Sequence, residues 1–98
     1  MWWKNVENKL DNLRKQIDII DNELMELFIA RMQISEKIAK YKYENHLKIT
    51  NKSREKEIKS KIQNHQIHVI KHYYEPINKA IMSASKKYQK NLIKSDFR

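Results

Sequence analysis

Ninety-eight residues with no glycine, one proline and no cysteine exclude a hairpin-built β fold, whose turns demand glycine, and exclude disulfides and thiolate metal sites. The 21 basic against 12 acidic residues give a net charge of +9, but 17 of the basic residues are lysines scattered along the whole chain; this pattern describes a solvated surface, not a face that reads nucleic acid. The length predicts a single domain, residues 1–98, that is all-α, with a core modest enough for a second chain to help it considerably.

The opening Met1-Trp2-Trp3-Lys4 runs straight into polar residues 5–9, which predicts no signal peptide, no membrane span and a cytoplasmic chain. A long helix 1 is expected from about residue 5 to residue 45. Its apolar residues Leu10, Leu13, Ile17, Ile20, Leu24, Leu27, Ile34, Ile38 and Tyr41 alternate by three and four, marking one stripe of a helix. Arg31 holds the one slot in that series without an apolar residue. Buried unpaired, its guanidinium would cost several kcal/mol or more, so it needs an anionic partner, either a carboxylate of the chain or a ligand. At about 1.5 Å per residue the helix is roughly 60 Å long, more than a lone ~100-residue globule requires. It must pack against something outside its own short chain.

Residues 46–50 break the pattern and read as a loop anchored by Ile49. Asn51 or Ser53 then caps a short helix 2 carrying Ile58 and Ile62 to about Asn64. After a turn over 65–67, helix 3 repeats the three-four spacing through Ile70, Tyr74, Ile77, Ile81, Ala84 and Tyr88. Pro76 inside it predicts a kink or irregular first turns, and the tail after Leu92 is expected to fray.

Among so many lysines, the four arginines are candidates for bidentate work on a carboxylate or phosphate, with Arg98 incidental at the last position. Arg31 and Lys42 lie eleven residues apart, about 20° in azimuth and ~16 Å along a helix, so their long side chains can converge on one small anion. Arg14 stands roughly 100° and ~25 Å from Arg31 and cannot easily reach the same ligand within one chain. If two helices 1 pair antiparallel, it lies beside the distal half of its partner and can complete the partner's pocket. Ser85 and Gln89 are i, i+4 neighbours at the edge of the helix 3 stripe, and Arg54 and Glu55 open helix 2. His68 and His72 are also i, i+4, a spacing used by surface metal sites, but no cysteine or dense carboxylate cluster completes one, and no metal is expected. Asp18 and Asp21 suit structural roles, pairing with Arg14 or tying helices together. Trp2 and Trp3 form an apolar patch that suits a packing edge or a protein partner.

Taken together, Leu13-Arg14-x-x-Ile17-Asp18-x-Ile20-Asp21-x-x-Leu24, Leu27-x-x-x-Arg31, Lys42, Ser53-Arg54-Glu55 and Ile81-x-x-x-Ser85-x-x-x-Gln89 resemble the all-helical chorismate mutases of the AroQ class, in order and spacing, over about residues 6–92. The resemblance implies three helices per chain intertwined into a homodimer, with each of two pockets completed by Arg14 of the partner subunit. It implies an isomerase of the shikimate pathway, serving phenylalanine and tyrosine biosynthesis, which converts chorismate to prephenate with no cofactor. Arg31 and Arg14 would grip the substrate carboxylates with Arg54 and Ser85 assisting, Lys42 and Gln89 would donate to the ether oxygen, and Glu55, with backbone near Asn51, would address the ring hydroxyl. Many relatives carry an acidic residue where this chain has Asn51.

Three other readings use the same residues differently. An isochorismate pyruvate-lyase or an aminodeoxychorismate mutase would apply the same anion clamp to another ring, though Ser85 leans towards a mutase because the lyases tend to carry a bulkier residue there. A regulatory or vestigial module would bind a carboxylate or a partner enzyme without turnover. A basic helical dimer would bind nucleic acid, which the scattered lysines and the lack of a recognition helix argue against.

Overall fold

The three-four spacing forms one uninterrupted helix, α1 (Trp2–Glu44), followed by α2 (Lys52–Gln63) and α3 (His68–Ser95). This computed structural model describes residues 2–65 and 68–95, with His68 and Val69 by their backbone alone. Among the described residues there is no strand, and the fold is all-α as expected. No described helix is long and apolar enough to cross a membrane.

Helix α1 begins at Trp2 instead of near Asn5, and it ends on a left-handed residue. His46 takes φ 56°, its N–H donates to the Tyr43 carbonyl, and Leu47 N–H reaches back to the Lys42 carbonyl at 2.8 Å. This crossed pair is the Schellman stop, usually built on glycine. Histidine is among the residues that tolerate the left-handed well, at a cost of about 1 kcal/mol. In a chain without glycine, the break in the periodic pattern at His46 is where the helix turns back.

Helix α2 is capped by Asn51, whose Oδ1 accepts from Arg54 N–H at 3.0 Å. Of the two caps considered, Asn51 is the one used, and Ile58 and Ile62 are half-buried. Helix α3 starts after the turn, as expected, and departs from expectation at its C-terminal end. Its helical course includes Pro76 without interruption, although proline lacks the N–H that the His72 carbonyl would accept. It also continues past Leu92 to Ser95, whose Oγ donates back to the Asn91 carbonyl, because Leu92 is buried and pins the last turns. The remainder of the tail, including Arg98, and the turn residues Gln66 and Ile67 lie outside the described residues.

The chain divides into two units, Met1–Gln33 and Ile34–Arg98. The first is helical from Trp2 onward, and the stripe residues Leu10, Leu13, Ile17, Ile20, Leu24 and Leu27 remain exposed, from Leu10 at 40% to Leu27 at 67%. In the second, α1 residues from Ile34 onward, α2 and α3 pack together, yet Ala39 and Leu92 are the only buried hydrophobic side chains among the described residues. Ile34, Ile38 and Tyr41 of the expected stripe stay exposed. The helix contact uses a neighbouring line of smaller side chains instead, so the apolar stripe is not what holds α1 to α3.

Candidate active site

That line is the centre of the second unit. Ser35 and Ala39 on α1 and Ser85, Gln89 and Leu92 on α3 are its buried residues, spaced i, i+4 and i, i+4, i+7 so that each set forms one row on its helix. Small side chains at Ser35, Ala39 and Ser85 let the helices approach closely. Ser35 Oγ lies 2.7 Å from Ser85 Oγ, and Gln89 Nε2 donates to Ser85 Oγ at 3.1 Å. Gln89 Oε1 is also buried, with no hydrogen-bond partner among the described residues. A buried acceptor left unpaired costs about 1–3 kcal/mol and calls for a reason. Sequence reasoning placed Ser85 and Gln89 at the edge of the apolar stripe, but they are among the most buried residues of α3. It missed Ser35 altogether. The available signal was two small residues, Ser35 and Ala39, four apart on the helix face between the two nominated cations.

Lys42 is half-buried, and its Nζ donates to the Ile49 carbonyl at 2.7 Å. The Schellman turn folds residues 46–50 back over the end of α1 and so brings Ile49 to the lysine. One of its three N–H donors is occupied there, and among the described residues the other two have no partner. Across the second unit, Glu55 forms a salt bridge with Lys86, each partly shielded, which ties α2 to α3 and engages Oε1 of the carboxylate nominated for the ring hydroxyl. Lys86 was not singled out from the sequence, where it is one lysine among 17. Arg54 is exposed and pairs with Glu57 at 2.8 Å within α2, with Lys61 at 3.5 Å from the same carboxylate, contacts worth at most about 1 kcal/mol.

Asn51 is exposed and its side-chain oxygen is committed to the cap. Asn51→Ala is expected to destabilise the chain by about 1 kcal/mol, and Asn51→Asp to keep the cap. Thermal unfolding followed by circular dichroism checks both; equal melting temperatures for the wild type and Asn51→Ala would contradict the capping role.

In the first unit, Arg14 lies 3.6 Å from Asp11, both side chains well exposed, and pairs with neither Asp18 nor Asp21 among the described residues. Arg31 is exposed and forms no ion pair among the described residues. Lys4 Nζ stands 5.6 Å from the centroid of the Trp3 ring, and Trp2 and Trp3 are both exposed. The side chain of His68 lies outside the described residues, and with it the His68–His72 pair. Among the described residues no group of three potential ligands could hold a metal ion.

The second unit thus offers a buried hydroxyl pair, a buried amide with an unused end, and a half-buried ammonium with donors to spare. The ammonium suits a small ligand rich in oxygen acceptors, whereas the amide as it stands presents an acceptor, its N–H being given to Ser85. Comparison with curated proteins and with solved structures finds no match. The family model for chorismate mutase type II matches residues 13–90, the stretch that contains every arginine, lysine, serine and amide nominated above, and the chain belongs to that family.

Proposed function

We propose that the chain is a chorismate mutase that rearranges chorismate to prephenate within an intertwined homodimer. The observation that carries this reading is the family match across residues 13–90; the half-buried ammonium of Lys42 supports it chemically. The substrate is a dicarboxylate, and its [3,3] shift breaks the ether C–O bond as a C–C bond forms, with no atom gained or lost. No nucleophile, general base or cofactor is needed. A catalyst has to hold the diaxial conformer and stabilise the negative charge growing on the ether oxygen. Arg31 and Arg14 of the partner subunit grip the two carboxylates, with Arg54 and Ser85 assisting. Lys42 and Gln89 donate to the ether oxygen, and Glu55 turns its second carboxylate oxygen to the ring hydroxyl.

Loss of chorismate absorbance with purified protein tests the reading, with products identified by mass spectrometry and isochorismate run in parallel. Prephenate is the expected product. Salicylate and pyruvate from isochorismate, with chorismate left intact, would keep the scaffold and replace the substrate. No reaction with either would favour a binding module.

A further inference from the structure

We propose that Ser35 is a positioning residue that acts through the Ser85 hydroxyl to set which end of the Gln89 amide meets a ligand. The identity of that ligand rests on the mutase reading; the geometry does not. Ser35, Ser85 and Gln89 are 4%, 7% and 6% exposed, so water cannot readily supply hydrogen bonds that these groups fail to give one another. They stand in a row, Ser35 Oγ to Ser85 Oγ at 2.7 Å and Ser85 Oγ to Gln89 Nε2 at 3.1 Å. The row ends on the unpartnered Gln89 Oε1.

A serine hydroxyl has one proton to give and two lone pairs to accept with. In the structure the Gln89 amide gives its N–H to Ser85, and the end left over is a carbonyl oxygen. An acceptor in that place opposes an ether oxygen that is gaining negative charge. A half-turn about the last side-chain bond exchanges the two ends of the amide. Oε1 then accepts the Ser85 proton, Ser85 accepts the Ser35 proton, and Nε2 takes the place of the orphaned oxygen. All protons in the row now point the same way, each bond polarises the next, and the row ends on a donor. Ser35 biases this arrangement because, once it donates, Ser85 has its own proton to place and the Gln89 amide oxygen is within reach. Without Ser35, that bias is gone and Ser85 serves equally well as the acceptor for Nε2.

Steady-state kinetics of the full chain with Ser35→Ala, Gln89→Ala and both substitutions form the first arm of the test. Ser35→Ala is expected to lower kcat at least about threefold with KM within about twofold. In the Gln89→Ala background the same substitution should change kcat by less than about 1.5-fold, because a residue that works through Gln89 then has nothing to work on. The second arm uses no substrate: the side-chain amide signals of Gln89 in proton–nitrogen correlation spectra, assigned by their loss in Gln89→Ala, should move in Ser35→Ala. Equal fold losses in the two backgrounds, or an unchanged kcat in an active enzyme, overturn the proposal. If the wild-type protein leaves chorismate intact, the mutase reading fails separately and the spectra decide: moved Gln89 signals uphold the coupling, and unmoved ones overturn it.

Discussion

Arg31→Ala and Lys42→Ala are each expected to lower turnover of chorismate at least about a hundredfold, for Lys42 the loss typical when one donor aimed at transition-state charge is removed, and for Arg31 the lost hold on the reactive conformer of the substrate. The two should fail in different ways. In the proposed pocket Lys42 would answer charge on the ether oxygen that appears only as the C–O bond breaks, so its loss should fall on kcat with KM little changed. Arg31 would there answer a carboxylate that carries its full charge from the start, so its loss should also raise KM. Lys42 has a second tie, its Nζ to the Ile49 carbonyl, and removing that contact costs about 1 kcal/mol of stability. A melting curve taken beside the kinetics separates the two effects, since a folded protein with a hundredfold lower kcat has lost chemistry. Near-normal activity in either variant would sink the assignment of the pocket.

The helices were legible because the signals for them are local. The three-four spacing marks α1 and α3, Asn51 stands where an N-cap belongs, and the pattern breaks at His46 where the chain reverses. The ends of α1 and α3 were misjudged for opposite reasons. Trp2 and Trp3 look like a loose start but carry no helix-breaking residue ahead of Asn5, and the tail of α3 persists because Leu92 finds a burial site that spacing alone does not announce. Pro76 forfeits one bond through its missing N–H, and the helix runs through it, as its place inside the three-four spacing predicts. In the site, the order and spacing of the polar residues were readable, but their partners were not. That Lys86 rather than solvent meets Glu55, and that Ser35 rather than an isoleucine faces Ser85, depends on how one helix is rotated against another. An apolar stripe predicts the more hydrophobic of two faces, and here the chain turns its small polar face inward and leaves the apolar one exposed.

That exposed face leads to the second large effect: a mixture of two inactive variants should recover activity. Leu10, Leu13, Ile17, Ile20, Leu24 and Leu27 are each at least 40% exposed, and burying a side chain of this kind contributes roughly 1.5–3 kcal/mol. A second copy of the same chain offers a matching stripe of the required length, and an isologous pairing makes every such contact twice. In that arrangement Arg14, whose contact among the described residues is an exposed pairing with Asp11, could enter a pocket of the partner subunit. Arg14→Ala and Arg31→Ala homodimers each lack one clamp in both pockets and should be nearly inactive. Refolded together from denaturant in equal amounts, half of the dimers combine one chain of each kind, and each of these has one pocket with both arginines intact. The expected recovery is therefore about a quarter of the wild-type rate. If Arg14 served its own chain, every pocket in the mixed dimers would lack one arginine and nothing would return. An absence of recovery with dimers present, or a monomer by light scattering at micromolar concentration, would contradict the shared pocket.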